Sequence, residues 1–276
     1  MIELAPDHKY RLPIASPVMP AAGTLGYGDT YRDLVDIHAL GALVTNPVSL
    51  KPRSAAKGER VIVHGDHFIT HTGLPNSGLR RVLREHRKAW ARFPIPIIVH
   101  VIATTPAETA KVTTQLSATA GVVGVELGLV ENISLPKARN LLDAARDGGL
   151  PVIVRVPFSQ AGALAPQLAT AGADALTLTA PPRAVLPVPD TNGENSNRYT
   201  RGRLYGPAVF PQLLNLLALL NGKVDVPVIA CGGIASAQDA IACLALGAAA
   251  VQVDALLWRD PQLITRVAEG LADFGF

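Results

Sequence analysis

The chain has 276 residues, 49% apolar and 17% charged, enough for one large α/β domain with a substantial core. No apolar run reaches the eighteen or more residues that a membrane helix needs, and the N-terminal MIELAPDHKYRLPIASP lacks the basic and apolar regions of a secretory leader, so a cytoplasmic protein is expected. A net charge of +3 attracts anions only weakly, and the single basic cluster, LRRVLREHRKAWAR, reads as a solvated helix face rather than a nucleic-acid patch.

Short runs rich in Val, Ile and Ala recur along the chain, too apolar to alternate, each followed by a segment of helical period. This is the pattern of parallel strands covered on both faces. Strands are predicted at 17–21, 42–46, 96–101, 122–127, 151–156, 175–179, 227–231 and 250–254. Helices follow near 30–38, 78–92, 106–118, 135–147, 160–171, 208–221, 236–245 and 261–273. Eight alternations predict a (β/α)8 TIM barrel, as a single domain over 1–276. Thr105-Pro106 and Ser236 have N-cap chemistry, Gly148-Gly149 and Gly172 end helices, and Pro151 and Pro227 open strands. The rival, a doubly wound open sheet, would need a phosphate-binding glycine fingerprint after its first strand, and AAGTLGYG has no G-x-G-x-x-G. Residues 47–78 and 180–207 carry no long helix pattern and form extended loops after strands two and six, on the face where barrels place their chemistry. Cys231 and Cys243 fall in strand-like and helix-like runs and read as reduced core thiols.

The runs SPVMPAAGTLGYG, LGALVTNPVSLKPR, GLPNSG, GPAVFPQLL, PVIACGGIASAQDA and GAAAVQV, in this order over nearly the whole chain, resemble the soluble, cytoplasmic dihydroorotate dehydrogenases. The resemblance implies an FMN at the C-terminal mouth of the barrel with a pyrimidine stacked on it. A base on the strand-four loop takes a proton while hydride passes to the flavin. It further implies a homodimer and, as in some relatives, an iron–sulfur electron-transfer partner.

Carried onto this chain, the phosphate cradle falls on Gly232-Gly233-Ile234, with Gly202 and Gly206-Pro207 beside it. The family's Gly-Thr after strand eight is Asp254-Ala255 here, a carboxylate beside a dianion that Arg201 or Arg203 would have to neutralise. Ala21, Ala22 and Gly23 keep the small residues of the flavin edge, and Thr45 stands at a flavin-contacting threonine. Asn46 replaces a lysine beside the flavin, His100 an asparagine, and Arg155 a lysine. His100 is read either as a structural histidine or as a hydrogen-bonding, proton-exchanging group.

In VELGLVENISLPKAR the family carries Asn-x-Ser-Cys-Pro-Asn. A gapless reading puts Gly128 on the first asparagine and Glu131 on the cysteine base. A reading shifted by four residues puts Asn132, Ser134 and Leu135 on the asparagine, serine and cysteine. The gapless one is preferred because NISLP is explained as a helix start, with Ser134 as N-cap and Pro136 in the first turn. Glu131 is then a replacement base, or else a solvated loop glutamate.

Asn46, Thr70, His71 and Asn76 are the expected substrate contacts, with Gly73 and Leu74 retained. Thr70 and either Ala180 or Pro181 replace substrate-binding asparagines, so several convergent donors for a pyrimidine are missing. His64, Asp66, His67 and His71 lack a strong metal spacing, and a polar contact from His71 at the mouth is preferred. The expectation is an FMN-dependent oxidoreductase acting on a CH–CH bond of a substrate other than dihydroorotate. The rival is a non-catalytic barrel binding a phosphorylated ligand or a protein partner.

Overall fold

Eight parallel strands form the frame of the computed structural model, which describes residues 1–31, 33–102, 104–188 and 198–275. They are β1 (Val18–Pro20), β2 (Leu43–Val44), β3 (Ile97–Ile102), β4 (Val122–Gly128), β5 (Val152–Pro157), β6 (Ala175–Ala180), β7 (Val228–Cys231) and β8 (Ala250–Val253). Their hydrogen-bonded order, β1-β8-β7-β6-β5-β4-β3-β2, is that of a barrel cut between β1 and β2. The Gly41 N–H donates to Val18 O at 2.9 Å and closes the cut. The TIM barrel predicted from the sequence is therefore the fold, with each strand within two residues of its expected ends.

The helices are α1 (Leu79–Trp90), α2 (Pro106–Ser117), α3 (Leu135–Arg146), α4 (Ala161–Thr170), α5 (Phe210–Leu220), α6 (Ala237–Ala245) and α7 (Leu263–Asp273). Thr105 and Ser236 cap α2 and α6 by accepting from the Glu108 and Asp239 N–H groups. Ser134 is the N-cap residue of α3 but makes no side-chain cap bond. The helix expected near 30–38 is absent among the described residues. Tyr31 takes a left-handed φ of 61°, which a helix cannot pass through, and only a 3-10 turn at Ile37–Ala39 forms.

Two cores result. Outside the barrel, Leu and Val side chains of the strands pack against the helices. Inside, Met19, Val44, Ile98, Ile153 and Ile229 fill the N-terminal half of the barrel. Leu4, Leu12 and Ile14, from the hairpin of Ile2–Glu3 with Pro13–Ile14, plug that end. Cys231 and Cys243 are buried free thiols. No helix among the described residues is long and apolar enough to cross a membrane.

The two long loops build one object. Strands Val61–His64 and His67–Thr70 from the first, and Arg183–Pro187 and Tyr199–Tyr205 from the second, form a four-stranded antiparallel sheet. It is joined across the loops by Thr70 opposite Arg203. Gly202, expected at the phosphate, serves this sheet instead, since a Cβ there would lie 2.5 Å from Thr70 O. Phe68 stacks on Tyr205 at 5.3 Å, and both rings lie 6.4 Å from Trp258, which ties the sheet to the chain leaving β8. Residues 189–197 of the second loop lie outside the described residues.

The seam between β1 and β2 is the thinnest part of the barrel. Replacing Gly41 by Ala would put a Cβ 2.0 Å from Ser16 O. Such overpacking should lower stability by about 1–3 kcal/mol, seen as a fall of ~3–10 °C in Tm; an unchanged thermal unfolding curve would show that the seam gives freely.

Candidate active site at the barrel mouth

Above the apolar layer the barrel interior turns polar, and the change is organised by Glu126 on β4, which is fully buried. Its Oε1 accepts from Thr177 Oγ1 and from Gln252 Nε2, both at 2.8 Å. Its Oε2 lies 2.6 Å from His100 Nδ1 and 3.6 Å from Arg155 Nη1. Arg155 donates further to Gln252 Oε1 at 3.0 Å and to Cys231 Sγ at 3.5 Å. Strands β3, β5, β6 and β8 thus meet β4 on one carboxylate, and β7 joins through Arg155. Burial drives the Glu126 carboxyl upward, but Arg155, His100 and Gln252 outweigh it and bring the pKa down to about 2. As Glu126 is ionised, the proton between it and His100 belongs on Nδ1. In the neutral ring Nε2 is then the acceptor. That nitrogen lies over Gly128, where a Cβ would come within 2.6 Å of it. The imidazole therefore needs a glycine at that position. Burial also pushes the Cys231 thiol up to about 12, so it stays protonated.

His100 and Arg155 form the floor of a cavity of about 480 Å³ at the C-terminal mouth, a size suited to a small-molecule ligand. Ala21, Ala22, Gly23 and Asn46 line one side. Thr70, His71 and Arg203 of the antiparallel sheet line another. Asn46 Oδ1 is buried with no hydrogen-bond partner among the described residues, an acceptor in the wall that a ligand donor would satisfy. Arg53, Arg183 and Arg203 make the rim cationic. Arg53 reaches Gly73 O, while the Arg183 side chain has no partner among the described residues.

Glu131 lines the cavity and Leu135 does not. Its Oε2 accepts from Arg203 Nη1 at 2.9 Å, and its Oε1 accepts from the Ser159 hydroxyl. Arg203, one of two residues expected to neutralise Asp254, is thus committed to Glu131 and to Pro181 O.

Other expected residues lie off the cavity. The Thr45 hydroxyl donates to Asn46 O and accepts from the His100 N–H, so it fixes the floor from behind. Asn76 is an organiser of the first long loop: Oδ1 accepts from the Ser49 and Gly78 N–H groups and the Ser49 hydroxyl, and Nδ2 donates to Leu74 O. Gly206 and Gly233 do come together, since a Cβ on Gly233 would lie 2.9 Å from Gly206 O. Of the cradle group, however, only Asp254 and Ala255 face the cavity. The histidines disperse: His64 pairs with His67 across a hairpin, His67 Nε2 accepts from the Ala208 N–H, and His71 faces the cavity. Pro181 lines the cavity, whereas the side chain of Ala180 lies outside the described part.

Glu126, Thr177 and Gln252 were missed by sequence reasoning. The signal was available: polar side chains at inward positions of VVGVELG, ALTLTA and AVQV, strands otherwise too apolar to carry them without partners.

A TIM barrel with a ligand cavity at its C-terminal mouth and an ionised floor describes a class of enzymes. The comparisons narrow it. A family model described as dihydroorotate dehydrogenase matches residues 9–162 and 184–274. The catalytic subunit of dihydroorotate dehydrogenase B (NAD(+)) from Pelobacter propionicus is 31% identical over 285 residues, covering 94% of this chain and 90% of that protein. Its counterpart from Desulforudis audaxviator is 30% identical, covering 95% and 90%, and that from a Geobacter species 28%, covering 94% and 89%. The chain belongs to the dihydroorotate dehydrogenase family, whose members are FMN-dependent flavoproteins, as the resemblance implied. The ring end of such a cofactor fits the cavity: small residues at Ala21 to Gly23, the unsatisfied Asn46 Oδ1, and a buried guanidinium at Arg155. At the glycines where the resemblance expects the phosphate, the Gly233 N–H is taken by the buried Asp254 carboxylate.

The buried network makes a pH prediction. A carboxyl held at about 2 against an ordinary 4.5 stabilises the fold above pH 4.5, and that contribution is lost as pH falls toward 2. Glu126→Gln should flatten this acid limb in urea melts from pH 5 to 2. Glu126→Ala, which removes the carboxylate that balances the buried Arg155 charge, should cost about 3–5 kcal/mol at neutral pH; an Ala variant as stable as the parent would refute the assignment.

Proposed function

We propose that this chain is an oxidoreductase that removes hydrogen from a CH–CH bond of a small anionic substrate, and that dihydroorotate is not its preferred one. The observation that carries this reading is the cationic mouth over an ionised floor. Arg183, without a partner among the described residues, and His71 offer donors to an anion. Thr70, and either Ala180 or Pro181, stand where the resemblance expects amides for a pyrimidine. A site built for amide recognition discriminates strongly, and its replacement removes several hydrogen bonds at once. When bound, a flavin supplies the hydride acceptor.

The proton is the chain's own task. Glu131 is the proposed acceptor, on the loop after β4, with Arg203 and Ser159 fixing the direction of its carboxylate. One observation favours a second reading, in which His100 takes the proton. Both Glu131 oxygens are already engaged, whereas the Nδ1–H bond to Glu126 leaves His100 Nε2 as an acceptor beside the cavity. The name "catalytic subunit" carried by the relatives supports a further proposal, that a homodimer of this chain passes electrons to a second, iron–sulfur subunit in the cytoplasm.

The experiment is stopped-flow reduction of the protein's bound flavin by a panel of small carboxylates and cyclic amides, with parent, Glu131→Gln and His100→Gln. Loss of an acid–base group should slow reduction about 10²–10⁴-fold. The variant that shows this loss, and flattens the pH profile, names the acceptor. Reduction by dihydroorotate faster than by every other compound would overturn the substrate proposal, and a colourless protein that takes up no flavin would overturn the enzyme reading.

A further inference from the structure

Gly232 and Gly233 leave β7 with φ of 137° and 69°, and the turn aims the Gly233 N–H inward. Across from it the chain leaves β8 through Asp254, which is 1% exposed. Asp254 Oδ2 accepts from the Gly233 N–H and Oδ1 from the Leu256 N–H, each at 3.0 Å. Two backbone donors from two strand exits therefore converge on one carboxylate, the arrangement that binds an anion at a turn. Among the described residues no side-chain cation is seen bonded to it: Arg203 is held by Glu131 and Pro181 O, and Arg155, which donates to Gln252 and Cys231, acts on it through its charge. Behind Gly233 the space is closed, since a Cβ there would lie 2.7 Å from Phe210 N and 2.9 Å from Gly206 O.

We propose that Asp254 is the resident anion of this cradle and sets what the site recognises: the chain holds a flavin by its ring and polyol and gains no affinity from a terminal phosphate. The inference rests on the flavin reading of the cavity and deepens it. A phosphate approaching Gly233 meets a carboxylate that already holds the donors, with like charge and no added cation to offset it. The residue is thus a determinant of cofactor specificity rather than of the chemistry. Removing its charge lifts the like-charge repulsion, and with one acceptor oxygen fewer the Gly233 N–H becomes available to a phosphate-bearing ligand.

The test is titration of the flavin-stripped protein with FMN and with riboflavin, followed by flavin fluorescence, for the parent, Asp254→Asn and Asp254→Ser. Riboflavin binding serves as the control for intact folding. The parent should bind FMN no more tightly than riboflavin. In each variant that still binds riboflavin, the preference for FMN should rise by about tenfold or more, and inorganic phosphate should compete with FMN only there. A parent that prefers FMN tenfold, or folded variants with an unchanged ratio, would overturn the inference; if neither variant folds, the parent's ratio decides it. Binding of neither flavin by any of the three proteins would instead remove the flavin reading of the cavity itself, and this inference with it.

Discussion

An ionised carboxylate in the middle of a barrel is the constraint around which this molecule is arranged. Glu126 is shut off from bulk solvent, so its oxygens take donors from the protein, and these come from β3, β5, β6 and β8. The network therefore fixes the relative height of strands far apart in sequence. It also divides the barrel into an apolar half, sealed by the N-terminal hairpin, and a polar half that opens on the cavity. Removing Glu126 would take a partner from each of the other four at once, so the network depends on that carboxylate.

The mouth inherits its character from that floor. His100 occupies its place because Glu126 holds Nδ1 and because Gly128 leaves room for Nε2. His100 and Gly128 are thus one steric pair, since the ring fits only where the facing residue has no Cβ. Arg155 brings positive charge up from below, and the antiparallel sheet adds Arg183 and Arg203 from above. Glu131 is drawn into this field and pinned to Arg203, which ties the loop after β4 to the sheet. Family membership is shown by the comparisons, and a fold does not by itself set the substrate.

Asp254 works on the same principle at the rim's other side. Backbone N–H groups left free by a glycine turn must be satisfied, by a ligand or by the chain itself. Here the chain does so, with a carboxyl that burial raises above its ordinary value, an effect the Gly233 and Leu256 N–H groups and the Arg155 charge offset only in part. Nothing in GGIAS alone distinguishes a cradle waiting for a phosphate from one already filled. The residue that fills it comes some twenty positions later.

The sequence by itself determined the barrel, because eight apolar runs each followed by a helical period have few ways to bury themselves. It also located the mouth, through the two long loops and the glycines around it. It could not show that those loops pair with each other through Thr70 and Arg203, since cross-strand partners far apart in the chain leave no local period. Nor could it show that Thr45 and Asn76 turn their polar groups to the scaffold, that Arg203 goes to Glu131 instead of Asp254, or that His100 joins Glu126. Those outcomes were decided by tertiary structure alone, because a buried polar side chain takes the nearest partner in space, and distance in space is not written in the order of residues.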